Sequence, residues 1–298
     1  AEELLDNDIE PAVFSYRDAE MFSRKAVETG REVKIHIAAD TGMCRIGYVP
    51  SPEAIEEVKK IAALPGIAMQ GIFTHFSEAD IADKEWAHEQ HRRFSDFIDA
   101  LKAAGVTFNI HHCCNSAGTL ELPDFHREMI RPGIIQYGHD ASKEVLVTGT
   151  KIKPVMSLRC CITHLKTIYE GDCVGYGRHF TATGPTKIAT LSIGYADGYN
   201  RALSSKIDVI VHGVRAHQVG NICMDQCMID VSHIPDVKVG DEVVLFGEQG
   251  SECVSADEIA DTCHTIIHEI TCNINRRVPR IYVQNGKIVQ RLEYLTQS

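Results

Sequence analysis

In the stretch LSIGYADGYNR, residues 191–201, an apolar run stops at Gly194, Tyr195 follows, and an Ala-Asp-Gly turn comes next. A phenol held out at a strand end can give or take a proton, although the same residue could cap a core. Asp197 reads more readily as a turn former than as an acid. In the first half of the chain, polar residues follow successive apolar runs. Asp40 to Arg45 follow IHIAA, His75 follows GIFT, Asn115 and Ser116 follow TFNIHHCC, and Arg131 and Gly133 follow REMI. If the runs are parallel strands, these residues meet at their C-terminal ends, the face where a barrel enzyme does its chemistry. Each alone reads equally as a loop or core polar residue; four in register argue for a site.

The elements that would position them alternate. PAVFS (11–15), VKIHIAA (33–39), AMQGIFTHF (68–76), TFNIHHCC (107–114) and REMIRPGIIQYG (127–138) read as strands. DAEMFSRKAVETG reads as a helix, as does SPEAIEEVKKIAALPG, with Ser51 as N-cap and Pro52 in the first turn. Phe94, Phe97, Ile98 and Leu101 have helical spacing and stop before Gly105. Strand–helix alternation of this kind predicts a parallel α/β sheet. The character changes near residue 145. From there short strands are separated by EGD, ADG and VGD turns, a mostly β pattern. SADEIADTCHTIIHEI interrupts it as one helix, with Ser255 and Glu258 as a capping box.

Composition narrows the function. The 298 residues carry a formal net charge of −11 and no long basic run, which argues against a nucleic-acid partner. No apolar run approaches a membrane span, and AEELLDNDIEP is acidic rather than signal-like, so a cytoplasmic location is expected. The 11 cysteines include the adjacent pairs Cys113-Cys114 and Cys160-Cys161 but no C-x-x-C, which predicts reduced, mostly buried thiols and no metal site.

Taken together, DTGMCRIG (40–47), GIFTHFSEAD (71–80), CNSAG (114–118), IRPGIIQYG (130–138), VGYGRHFTA (174–182), IGYADGYNR (193–201), NICMDQCMIDV (221–231) and RRVPRIYV (276–283) resemble the pyridoxal-phosphate-dependent alanine racemases, in family order over nearly the whole chain. The resemblance implies a (β/α)8 TIM-type barrel followed by a β-rich domain, here residues 1–145 and 146–298. It implies a head-to-tail homodimer in which each site borrows residues from the partner's β-rich domain. The activity implied is interconversion of L- and D-alanine through a pyridoxal phosphate aldimine, supplying D-alanine for peptidoglycan. Tyr195 matches the catalytic phenol, and Arg131 the arginine facing the pyridine nitrogen. His75 and His112 match the histidines that buttress that arginine. Ser116, Gly133 and Ile134 match the phosphate site, Arg45 an arginine near the substrate carboxylate, and Met224 and Asp225 the substrate entrance. Without the resemblance, His75 reads as a core histidine, Met224 as packing and Gly133 as an allowance for close packing.

The pattern also breaks. The family's Schiff-base lysine, in a motif like V-K-A-x-A-Y-G-H-G, has no counterpart here, and about 145 barrel-like residues fall short of the roughly 250 of a full barrel. The expectation is therefore a partial barrel of about the fourth to eighth βα units, in an N-terminally truncated form of the enzyme that lacks its Schiff-base lysine. The alternative is a non-catalytic paralogue that dimerises or binds phosphate-bearing ligands. Ala38 stands where the family often has a modified lysine. Arg276 stands where a tyrosine often precedes RVPR, and its positive charge suits a neighbouring phosphate.

Overall fold

VKIHIA is buried at every position but Lys34, the pattern of a parallel strand covered on both faces. In the computed structural model, which describes residues 1–144 and 152–295, it is the second strand of a four-stranded parallel sheet. The chain divides into two compact units, residues 1–153 and 154–298. The boundary expected at 145/146 lies outside the described residues.

The first unit runs α1 (Glu2–Asp6), β1 (Ala12–Val13), α2 (Tyr16–Thr29), β2 (Val33–Ala38), α3 (Pro52–Ala62), β3 (Ile67–Phe73), α4 (Glu85–Ala103), β4 (Ile110–His112) and α5 (Ser116–Glu121). The strands lie in chain order, β1-β2-β3-β4, so each helix between strands is a crossover. Helix α3 starts as expected: Ser51 accepts from the Ala54 N–H, and Pro52 fills the first turn, where no N–H is needed. Helix α2 begins two residues before the expected Asp18, because Ser15 caps it, and ends at Gly30 with φ +64°. Val58 and Ile61 of α3 and Phe94, Phe97 and Leu101 of α4 are buried in one apolar core with Ile35, Ile37 and Ile72 of the sheet.

Residues 127–138 do not form the expected fifth strand. Arg131 N–H donates to the Cys114 carbonyl at 2.9 Å, Pro132 has no N–H, and residues 134–137 wind into a 3-10 turn. Burial of the cysteines is also overstated by the sequence: of the eleven thiols, all free, only Cys113, Cys114 and Cys227 are buried, and Cys44, Cys161, Cys253 and Cys272 are exposed. Among the described residues no helix is long and apolar enough to cross a membrane, and no group of three or more His, Cys, Asp or Glu is placed to hold a metal ion.

The second unit runs β5 (Leu158–Ile168), β6 (Cys173–Val174), β7 (Phe180–Thr181), β8 (Thr186–Leu191), β9 (Asp208–Val211), β10 (Val214–Val219), β11 (Cys227–Asp230), β12 (Glu242–Gln249), β13 (Glu252–Val254), α6 (Ala256–Thr262), α7 (Ile267–Cys272), β14 (Arg280–Gln284) and β15 (Lys287–Leu292). Six antiparallel strands follow in the order β12-β5-β8-β11-β10-β9, and β9 pairs back onto β12. Val243 is paired with both Cys160 and Val211, so the ring closes and leaves no edge among these strands. The helix expected over 255–270 is two helices, broken where His264 takes φ +55°. Only half of the capping box forms. Ser255 accepts from the Glu258 N–H, but the Glu258 carboxylate instead takes Arg215 at 2.8 and 3.1 Å.

Candidate functional site

The C-terminal ends of β3 and β4 converge on one guanidinium. Arg131 donates to His112 Nδ1 at 2.5 Å, to the Thr74 carbonyl at 2.7 Å, to His75 Nδ1 at 3.4 Å and to the Cys113 carbonyl at 3.5 Å. Its central carbon lies 5.3 Å from the centroid of Phe73, and the Phe73 and His112 rings stack at 5.1 Å. Every one of these partners is neutral, and burial pulls the Arg131 pKa below its ordinary value. Beside it, Ser116 Oγ accepts from the Gly133 N–H at 2.8 Å, which ties the loop after Arg131 to the start of α5. A Cβ on Gly133 would sit 3.4 Å from that hydroxyl, an ordinary contact distance, so it is the backbone N–H rather than a lack of space that ties Gly133 to Ser116. Ile134 is buried.

Arg45 is exposed, in the loop after β2. Asp40 shapes that loop: its Oδ1 accepts from the N–H groups of Gly42 and Cys44. Ala38 is buried.

The site's histidines are held neutral. His112 is pushed down to about 3, by burial first and then by Arg131, His36 and His111. His75 falls to about 4, by burial, then Arg131 and Arg45. His91, stacked on Phe125, also falls to about 4 through burial and Arg127. An unfolded histidine titrates near 6.5, so between that pH and 3–4 the unfolded chain binds more protons than the folded one. Their contribution to stability is complete above about pH 6.5 and is lost as pH falls towards the folded values, by up to about 1.4 kcal/mol per pH unit for each histidine. Trp86, the chain's one tryptophan, lies in the first unit and donates to Ser77 Oγ. Its fluorescence is expected to show a lower urea midpoint at about pH 5 than at about pH 7.5, and His112→Asn should lessen that drop. A midpoint independent of pH over this range would contradict the assignment.

The second unit holds Tyr195, Met224, Asp225 and Arg276. The Tyr195 N–H donates to the Cys223 carbonyl at 3.0 Å, and the Ala196 N–H donates to the Met224 carbonyl at 3.0 Å. A Cβ on Gly194 would lie 2.2 Å from the Cys223 oxygen, so only glycine lets the two loops approach this closely. Asp197 is the turn former expected. Its Oδ2 accepts from the Gly194 N–H at 2.9 Å and its Oδ1 from Arg277 Nε at 2.6 Å. Arg277 also pairs with Asp225, so one guanidinium clamps the tyrosine turn to the Met224-Asp225 loop. Tyr195 and Met224 are exposed at 43% and 54%. Arg276 is exposed and packs over the Tyr294 ring.

The structure thus brings His75, His112 and Arg131 together, with Ser116, Gly133 and Ile134 alongside, and it brings Tyr195, Met224 and Asp225 together in the other unit. Three residues escaped the sequence reading. Thr74 acts through its carbonyl, for which side-chain identity carries no signal. Arg277 was hidden in the RRVPR run behind Arg276. His36 could have been found, as a histidine within an otherwise apolar buried strand; its Nδ1 lies 2.8 Å from His112 Nε2.

Comparison with known proteins shows the family. The family model "Alanine racemase, N-terminal domain" matches residues 1–141, and "Alanine racemase, C-terminal domain" matches residues 155–282. The chain is 46% identical over 288 residues to the alanine racemase of Clostridium tetani, covering 96% of this chain and 74% of that protein. It is 45% identical over 287 residues to alanine racemase 1 of Clostridium acetobutylicum, again covering 96% and 74%. The solved alanine racemase of Clostridium difficile 630 superposes with a TM-score of 0.93 at 39% identity, covering 99% of this chain and 76% of that one. These matches span both units, the fold is a TIM-type unit followed by a β-rich unit, and the chain belongs to the alanine racemase family.

Proposed function

We infer that this protein interconverts L- and D-alanine with pyridoxal phosphate as cofactor, as a cytoplasmic head-to-tail homodimer. The observation that carries the reading is the half-buried Arg131, held by neutral acceptors only at the ends of β3 and β4, beside the hydrogen-bonded Ser116–Gly133 pair. A cation with no carboxylate among its hydrogen-bond partners keeps its charge available for a ligand, and a serine hydroxyl at the start of α5 beside loop backbone suits a phosphate. The residues present therefore fit the cofactor. We read the four parallel strands as a run of consecutive βα units of the barrel wall. Eleven free thiols suit a reducing compartment.

Pyridoxal phosphate, when bound, supplies an electron sink that acidifies the substrate Cα–H. Arg131 would hold the ring nitrogen through an N–H and, since it cannot readily give up its proton, would leave that nitrogen unprotonated. His75 and His112 hold the guanidinium. Ser116, with the backbone of Gly133 and Ile134, would hold the phosphate, and Arg276 would supply a positive charge suited to it. Tyr195, offered to the neighbouring subunit's barrel, moves a proton to and from one face of Cα. Arg45 faces the substrate carboxylate, and Met224 and Asp225 line the entrance. The base for the other face is a lysine in the family pattern, and none of residues 1–298 stands in that motif. The assay is therefore made on the protein as its own cell produces it.

The test pairs a binding titration with proton exchange. Saturable binding of pyridoxal phosphate is expected, weakened by Ser116→Asp, together with washing-out of the Cα hydrogen of both alanine enantiomers in deuterium oxide. Serine, run alongside, reports substrate preference. No cofactor binding and no exchange from either enantiomer would end the reading.

A further inference from the structure

The contacts of Arg131 extend beyond the ring that touches it. His112 Nδ1 receives the arginine N–H, His112 Nε2 lies 2.8 Å from His36 Nδ1, and His36 Nε2 lies 2.9 Å from Glu10 Oε2. The protons along this chain follow from one end. Arginine has no acceptor, so His112 Nδ1 must be bare. A neutral imidazole with a bare Nδ1 carries its proton on Nε2, so His112 donates to His36. His36 Nδ1 must then be bare in turn, and its Nε2–H points at the Glu10 carboxylate. Were His36 to donate instead, His112 would carry no proton on either nitrogen.

We propose that Glu10 is the remote anionic anchor of Arg131, acting through His36 and His112 in series, and that Glu10 and His36 are positioning residues for the guanidinium. The carboxylate selects one tautomer in each ring and so turns a lone pair, rather than an N–H, towards the arginine. It polarises both hydrogen bonds in the same direction, which strengthens each. The arginine gains a counter-charge without a carboxylate beside it, and its outer face stays available to a ligand. Lys34 Nζ, 3.8 Å from Glu10 Oε1, sits at the solvent end of the line.

The strand geometry is built for this line. His36 pairs with Gly71 across β2 and β3, and a Cβ on Gly71 would fall 2.2 Å from His36 Nδ1. Glycine in a strand interior is unfavourable, and here its missing side chain is the space that the ring occupies. His36 and His112 are both buried, at 8% and 4% exposure, with rings 69° apart at 5.0 Å, so neither ring has room to turn freely.

The consequence for catalysis rests on Arg131 facing the cofactor ring, as proposed above; the tautomers do not. The test is nitrogen NMR of the full chain labelled at histidine, without cofactor, for the wild type and for Glu10→Leu, Glu10→Gln and His36→Phe. In the wild type both rings should be protonated at Nε2 and bare at Nδ1, with coupling across the His112–His36 hydrogen bond. Glu10→Leu should shift the resonances of both rings, including the distant His112. Glu10→Gln, which retains an acceptor oxygen, should restore the wild-type pattern. In the enzyme, Glu10→Leu should lower kcat by about tenfold with KM for alanine little changed, as a misaligned guanidinium requires. A proton on His112 Nδ1, or His112 resonances that ignore Glu10→Leu in a folded chain, overturns the proposal. The wild-type pattern in a protein that binds no pyridoxal phosphate would instead remove the functional reading and leave the relay standing. His36→Phe, with its ring volume retained, covers the case in which Glu10→Leu fails to fold; it should remove the coupling and shift His112.

Discussion

Tyr195→Phe is expected to cut racemisation by about 10²–10⁴-fold, the usual worth of a positioned acid–base group, while leaving the fold unchanged. The stability half of this expectation comes from the turn. Asp197 ties down the Gly194 N–H, Arg277 ties down Asp197, and the Tyr195 and Ala196 N–H groups are bound by the Cys223 and Met224 carbonyls. None of these bonds uses the phenol, and no internal partner of the hydroxyl is present among the described residues. Phenylalanine keeps the volume and the backbone, so a change in stability within about 0.5 kcal/mol is expected, as for an exposed site. The activity half is directional. A base on one face of Cα exchanges the hydrogen of one enantiomer, so deuterium wash-in from that enantiomer should vanish while exchange from the other persists. Wild-type rates in both directions for Tyr195→Phe would exclude the phenol as a base.

Arg131→Leu should damage both stability and activity. Leucine leaves His112 Nδ1 and the Thr74 carbonyl without their short N–H donors, and each unsatisfied buried acceptor costs about 1–3 kcal/mol. The guanidinium also disfavours the charged forms of His75 and His112, so its removal should raise both pKa values towards the ordinary range. The acid loss of stability would then be smaller per histidine, because the gap between unfolded and folded values narrows. Urea titration read by Trp86 should show a lower midpoint at neutral pH and a weaker dependence on acid. Activity should fall by about 10²-fold or more, as for other preorganised donors removed from an active site. Arg131→Lys is not a conservative rescue, since one ammonium cannot reach His112, Thr74 and a ligand in the planar geometry of the guanidinium. A stable, active Arg131→Leu would show that the charge at the ends of β3 and β4 is not the centre of the site.

Much of this arrangement is written locally. Ser51 with Pro52, the 3.6-residue spacing of Phe94, Phe97 and Leu101, and the apolar run of β2 each act within one turn or one strand, so the sequence determines them. The polar residues at strand ends are local as well: once the strands are parallel, His75 and His112 come to the same end, whereas Arg131 reaches it on a loop. The same reasoning overreached at 127–138, where Pro132 removes a ladder donor, and at 255–270, where His264 breaks the helix in the left-handed region.

What the tertiary structure alone decided are the long-range pairings. Closure of the six-stranded ring depends on β9 meeting β12, and no periodicity in either strand specifies that partner. The line from Glu10 through His36 and His112 to Arg131 joins residues separated by 26, 76 and 19 positions. Residue types set the capacity of each group to donate or accept. Which lone pair faces which proton depends on side-chain packing across β2 and β3, and that packing is fixed only when Gly71 leaves room for the His36 ring.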